Sequence, residues 1–345
     1  ASSFSLLLLA ARGYRDVPFL ALVFWAAVRA AEGRRDRSVL ALLTVAGLLR
    51  PEAWLLGGLF ALWRRSPRLV AGALVAPVVW VLTDLWVTGD PLWSLTGTSE
   101  LAADLGRERG VAKVPGAFAE FVVDALRAPV AVAAVAGLAV ALWRLGWRRL
   151  VVPLALLGAG VLTFLATGVA GLSILPRYLT VPTVTLCLFA GYAFAGFADL
   201  PRGRLRRLWT VGACVLLAGG VTFAVVRMNV VSKLTAELAF LDASHRDLVR
   251  LLDTPEVRAG MACGPLTFPN YRLVPDARWY LDAPRGAVRA RSDVRPERGV
   301  AVFVVGEKAL RRFGFADGAS PSTNAPDPGF ERAVRAGRFV AYTAC

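Results

Sequence analysis

The sequence predicts an α-helical integral membrane protein of about eight membrane helices, some of them short, followed by a small non-cytoplasmic α/β domain. Hydrophobic residues make up 56% of the 345 residues, and the mean hydropathy is +0.55, more apolar matter than a soluble core needs. The excess is gathered into runs such as "LVAGALVAPVVWVLTDLWV" (69–87), "LVVPLALLGAGVLTFLATG" (150–168), "TVPTVTLCLFAGYAFAGFA" (180–198) and "LWTVGACVLLAGGVTFAVV" (208–226). Each approaches the roughly 20 residues that cross a hydrocarbon core about 30 Å thick. Between the runs, arginines cluster at Arg29 to Arg37, Arg64 to Arg68, Arg144 to Arg149 and Arg202 to Arg207. Such clusters mark cytoplasmic loops.

The clusters set the direction of each element. Residues 17–31 run inward, 38–49 outward, 52–63 inward, 69–87 outward, 129–145 inward, 150–168 outward, 178–198 inward and 208–226 outward. The membrane domain is therefore 1–226, with an outer loop over 88–128, and the non-cytoplasmic domain is 227–345. Trp63, Trp143, Trp147 and Trp209 flank the cytoplasmic clusters, while Trp86 and Trp93 flank the other side. Interfacial aromatics sit at such levels, though packing against neighbouring helices places a tryptophan equally well. The N-terminal "ASSFSLLLLAARGYRDVPF" lacks an initiator Met and a charged region ahead of its apolar run, which suggests a fragment of a longer protein with upstream helices.

In the C-terminal part, "SKLTAELAFLDASHRDLVRLLDT" (232–254) has leucines at helical spacing, and "GVAVFVVG" (299–306) and "GRFVAYTAC" (337–345) are strand-like. Pro-, Gly- and Asp-rich loops such as "GASPSTNAPDPG" separate them. Cys187 and Cys214 fall inside spans and read as small apolar core residues. Cys263 and Cys345 share a compartment that permits oxidation, which predicts a disulfide between them; two free buried thiols are the alternative.

Several chemistries lack material. The net charge of +15 is dispersed in loop clusters, which argues against nucleic acid. His245 is the only histidine, so His-based zinc sites and Ser-His-Asp relays have almost no material. No phosphate-binding GxxxxGK[ST] loop is present.

What remains is charge inside apolar sequence. "LLRPEAWLL" puts Arg50 and Glu52 around Pro51, between two arginine clusters that want the same side of the membrane. The segment 38–63 should then be a hairpin turning near Pro51, with arms of about 18 Å that fall short of a full crossing. Its tip would lie at membrane depth, where charge is tolerated only against protein or in a wet cavity. Arg50 is thus a candidate ligand for an anionic headgroup or phosphate. A contact from Arg50 to Glu52 or to a carbonyl, holding the hairpin, is the structural alternative. "LSILPRYLTVP" (172–182) adds Arg177 and Tyr178 at the outer mouth of a span, as anion ligands or plain interfacial anchors. "TDLWVTGDPLWSL" (83–95) adds Asp84 and Asp90, the latter beside Gly89 and Pro91 where a simple turn is favoured.

"LLRPEA" in a hairpin, then "TGDPLWSL", then "LPRYLTVP" entering a span resemble the GT-C superfamily of membrane glycosyltransferases, in particular bacterial enzymes related to protein mannosyltransferases. The resemblance implies transfer of a sugar from a polyprenyl-phosphate donor to a cell-envelope acceptor at the outer face of the plasma membrane. It implies that Arg50, Arg177 and Tyr178 bind the donor phosphate, with no certain cofactor and a divalent metal as an option. The family places an acidic base in the first outer loop, which would lie upstream of this chain. Asp16, in "GYRDVPF", belongs to a different part of the pattern; Glu52 and Asp90 are the candidates this chain contains. A transporter or lipid flippase, and an inert membrane scaffold, are the competing functions. On the enzymatic reading Arg50→Ala would abolish transfer and leave the fold intact.

Overall fold

The computed structural model describes residues 4–104, 109–226, 229–284, 286–314 and 325–345. The chain divides into two compact units, a helical one up to Ser232 and a mixed one from Lys233 to Cys345.

The helical unit comprises α1 (Phe4–Ala11), α2 (Asp16–Ala31), α3 (Asp36–Leu49), α4 (Glu52–Trp63), α5 (Pro67–Ala73), α6 (Val75–Thr88), α7 (Trp93–Asp104), α8 (Val114–Leu145), α9 (Val151–Val169), α10 (Thr180–Ala195) and α11 (Arg204–Val226). Among the described residues, five helical stretches are long and apolar enough to cross a membrane, the first at Pro67–Thr88 and the last beginning at Arg204. Large apolar side chains on their outer surfaces are exposed, Trp86 and Val169 among them. Such an exterior suits hydrocarbon and is compatible with a multi-pass membrane protein.

The α3–α4 hairpin is present. At its open end Arg64 Nε donates to Asp36 Oδ2 at 3.0 Å, and along its seam Trp54 Nε1 donates to the Gly47 carbonyl, also at 3.0 Å. Extended backbone at Arg50 (φ −151°, ψ 132°) and the fixed φ of Pro51 (−63°) reverse the chain between the arms. Elsewhere small residues let helices approach closely. Gly137, Ala133, Ala134 and Ala141 on α8 face Ala190 and Ala193 on α10, and a Cβ at Gly137 would stand 1.8 Å from the Phe189 carbonyl oxygen.

Two expectations are corrected here. The stretch 88–128, expected as a loop, is largely helical, because α7 occupies part of it and α8 begins at Val114, well before residue 129. The phenyl rings of Phe118 and Phe121 pack on Phe164 along one face of this first half of α8, where Val114, Ala117 and Leu126 are buried, and the helix kinks at Arg127 (φ 59°, ψ 153°), two residues ahead of Pro129. Cys187 and Cys214 are exposed and do not fill a core. On α10 the buried face runs through Val181, Thr185 and Phe189, so Cys187 falls on the other side; on α11 the buried residue is Ala213, and Cys214 lies about 100° round the helix.

Of the tryptophans, Trp63 and Trp143 are exposed. Trp209 instead donates to the Ala193 carbonyl at 2.7 Å and stacks edge-on against Tyr192, which is the packing role.

Asn229–Leu252 forms α12, which confirms the amphipathic helix: Phe240, Leu248, Leu251 and Leu252 are buried. The mixed unit continues with α13 (Pro255–Cys263), β1 (Leu266–Phe268), α14 (Val274–Leu281), β2 (Val288–Ala290), β3 (Gly299–Val304), α15 (Glu307–Phe313), β4 (Glu331–Ala336) and β5 (Phe339–Ala344). The sheet order is β2-β1-β3-β5-β4, with β1, β2 and β3 parallel and β4 and β5 antiparallel to their neighbours. Every residue of β3 is buried, as a central strand requires. Gly337 makes the tight β4–β5 turn at φ 52°, where a Cβ would also strike the Asp247 carboxylate. The predicted Cys263–Cys345 disulfide is formed. His245, half exposed, pairs with Asp276 at 3.0 Å. Part of the stretch "GASPSTNAPDPG" lies outside the described residues.

Candidate functional site

Arg50 is the C-cap of α3, whereas Asp16 and Glu52 are the first residues of α2 and α4. Because α2 and α3 run in opposite directions, these ends meet. Each charge therefore lies where the helix dipole favours it, carboxylates at N-termini and guanidinium at a C-terminus. Arg50 and Asp16 are fully buried, and Glu52 nearly so.

The Arg50 guanidinium is heavily engaged. One terminal nitrogen, Nη1, pairs with Asp16 Oδ1; the other, Nη2, pairs with Glu52 Oε1, which also accepts from Nε at 3.0 Å. Nη2 further donates to the Arg177 carbonyl at 3.2 Å. The plane lies over Phe19, 4.9 Å from its centroid, and 5.6 Å from that of Tyr178. Burying ions costs several kcal/mol each, about what the pairing and hydrogen bonds must return. Arg50 therefore ties α2, the hairpin and the turn entering α10 into one cluster.

In the structure Arg50, the candidate phosphate ligand, already has protein partners for its guanidinium. Both parts of the structural alternative, a contact to Glu52 and a contact to a carbonyl, are made together. The reason is the third partner, Asp16, whose approach over 34 residues of sequence consumes the remaining face of the guanidinium.

Arg177 is held differently. Its carbonyl accepts from Arg50 and, at 2.9 Å, from Thr180 Oγ1, so its backbone is fixed. Its side chain is 26% exposed, its Nε is 4.0 Å from Asp16 Oδ1, and that Nε has no hydrogen-bond partner among the described residues. Tyr178 supplies a ring 5.9 Å from the Arg177 guanidinium. Asp16 Oδ2, and Ser173 Oγ in the segment between α9 and α10, are likewise buried without a partner among the described residues. A buried acceptor left unpaired costs on the order of 1–3 kcal/mol, so such atoms ask for a function or a bound group.

Glu52 and Asp90 are not brought together. Glu52 is committed to Arg50, and Asp90 accepts from Leu92 N–H at 2.9 Å and Thr96 Oγ1 at 3.2 Å. Asp84 likewise accepts from the Ser94 backbone and hydroxyl, each at 2.8 Å. Both aspartates fasten the turn into α7, the plain role for Asp90. The correction has a simple cause: an acidic residue beside Gly and Pro satisfies nearby N–H groups more readily than it stays free. Among the described residues no group of three or more His, Cys, Asp or Glu is gathered to hold a metal.

Comparison with protein-family models, with curated proteins and with solved structures finds no match. The functional reading therefore rests on this cluster and its chemistry.

Asp16 is the member of the cluster that the sequence reading set aside. A signal for it existed: α2 and α3 have similar lengths and share an arginine-rich turn, so the residue opening one and the residue closing the other must reach the same level.

Proposed function

We propose that the chain belongs to a membrane glycosyltransferase that moves a sugar from a polyprenyl-phosphate carrier to a cell-envelope acceptor on the outer face of a bacterial plasma membrane. In this reading about eight helices lie in the bilayer, the arginine clusters face the cytoplasm, and residues 227–345 are extracytoplasmic. The order of "LLRPEA", "TGDPLWSL" and "LPRYLTVP" supports a GT-C-like enzyme.

One observation carries the proposal: Arg177 is a partly exposed cation with an unpartnered Nε and a rigidly held backbone, next to a buried carboxylate. A leaving phosphate would take the planar donors of Arg177, weakening its loose pairing with Asp16. Arg50 then acts as a positioning residue that holds the Arg177 main chain.

The test is transfer from a labelled polyprenyl-phosphate sugar to membrane acceptors. Arg177→Ala should lower the rate by about 10²-fold or more, and Arg177→Lys should restore part of it. Unchanged transfer in Arg177→Ala removes the residue from the mechanism. A reporter fused after Cys345 checks the side of the membrane, since activity in the cytoplasm contradicts the topology. The complete engagement of Arg50 favours a second reading, an inert scaffold whose charges only lock helices; it expects no transfer by the unmodified protein.

A further inference from the structure

A half-open cavity of about 90 Å³ lies between α2, α3, α4 and α9. Its lining comes from the C-terminal halves of α2 and α4, the N-terminal half of α3 and the start of α9. It is therefore at the opposite end of these helices from Arg50. The walls are apolar throughout, formed by residues such as Val23, Leu43, Phe60, Val152 and Ala155, with Trp63 at one edge.

Charge surrounds this end with one sign. Arg64 and Arg65 directly follow Trp63, and Arg148 and Arg149 precede the first lining residue of α9, Val151, with only Leu150 between. Nearby acids are already used: Asp36 pairs with Arg64, and Glu32 with Arg34. Arg65 and Arg149 are exposed and make no ion pair among the described residues. An apolar cavity whose lining helices end or begin at unpaired arginines matches one kind of molecule, with an aliphatic chain and an anionic head.

We propose that this cavity holds an acyl chain of an anionic phospholipid whose headgroup is bound by Arg65 and Arg149. The inference rests on the bilayer placement proposed above and is independent of the transfer reaction. In a membrane the chain exchanges one hydrocarbon surrounding for another, so the walls select shape and give little affinity. Discrimination falls to the arginines, which attract an anionic headgroup. A cavity of this size takes a few methylene groups and excludes a headgroup, which leaves the phosphate at the rim.

The full chain is reconstituted in phosphatidylcholine nanodiscs with a trace of spin-labelled phosphatidylglycerol or spin-labelled phosphatidylcholine, and the motionally restricted fraction of each is measured. Phosphatidylglycerol should be retained at least about fivefold more strongly. Arg65→Asn with Arg149→Gln should abolish that preference without changing phosphatidylcholine. Ala155→Phe should remove the preferentially retained lipid by filling the slot; circular dichroism checks its folding, and the smaller Ala155→Leu decides if it fails to fold. Equal retention of the two lipids, or unchanged preference in the folded Ala155 variant, overturns the proposal. Stronger retention of spin-labelled polyprenyl phosphate than of phosphatidylglycerol also overturns it, assigning the slot to a different lipid.

Discussion

Among the described residues each unit buries one arginine, and the two are built differently. Arg50 in the helical unit pairs with two carboxylates and a carbonyl. Arg291, just beyond β2 in the mixed unit, is equally buried and lies 5.2 Å from the Phe303 centroid, but among the described residues it pairs with Asp327 alone and leaves Nε and Nη1 without partners. Asp327 is itself 30% exposed, so water shares its charge. Burial alone thus does not make a structural keystone. What matters is how many elements the side chain joins and whether its partners could survive without it.

The largest expected effect comes from breaking the more complete cluster. Arg50→Ala leaves Glu52 without its countercharge and Asp16 with only the loose 4.0 Å pairing to Arg177, at a cost of about 3–5 kcal/mol. Unfolding of the detergent-solubilised protein should show a large loss of stability, and this replaces the expectation of an intact fold. A variant as stable as the parent would mean that the cluster contributes little.

The mixed unit should depend instead on its covalent link. The Cys263–Cys345 bond closes a loop with a sequence separation of 82 residues. Replacing both cysteines by serine should cost about 2–5 kcal/mol, read as lost hydrogen-exchange protection in β3 and β5.

A smaller effect is expected at the second arginine. Arg291→Met removes two unpaired buried donors along with the ion pair and leaves a carboxylate that water reaches, so its cost should stay within about 1 kcal/mol. Denaturant midpoints check this. A loss matching that of Arg50→Ala would erase the contrast between the two sites.

The smallest effect concerns surface titration. The Tyr280 hydroxyl donates to Asp253, and with Arg258 beside it this holds the Asp253 carboxyl below its ordinary range; the same bond raises the Tyr280 phenol. A depressed carboxylate contributes stability above its unfolded pKa and loses it as pH falls through the folded value. Tyr280→Phe should move the Asp253 titration midpoint upward in NMR, with a negligible change in stability because the pair is exposed.

Legibility in the sequence followed locality. Helices α2, α3 and α4 begin and end within two residues of the expected spans, because apolar runs and arginine clusters are local signals. The turn at Pro51 and the disulfide were equally visible. The early start of α8 is hidden because residues 114–128 are mixed in polarity, while in the fold Val114, Ala117, Phe118 and Phe121 pack in one cluster with Phe164, Ile174 and Leu179. Strands β1 and β2 have three residues each, too short for an alternation to register.

The sequence by itself determined where apolar helices form, where they reverse, and that Arg50 and Glu52 carry charge at a hairpin tip, since each depends on neighbours a few residues away. Only the tertiary structure decided what those charges do. Asp16 and Arg177 reach Arg50 from distant parts of the chain, and a guanidinium has few donors; the two carboxylates and the Arg177 carbonyl occupy those of Arg50.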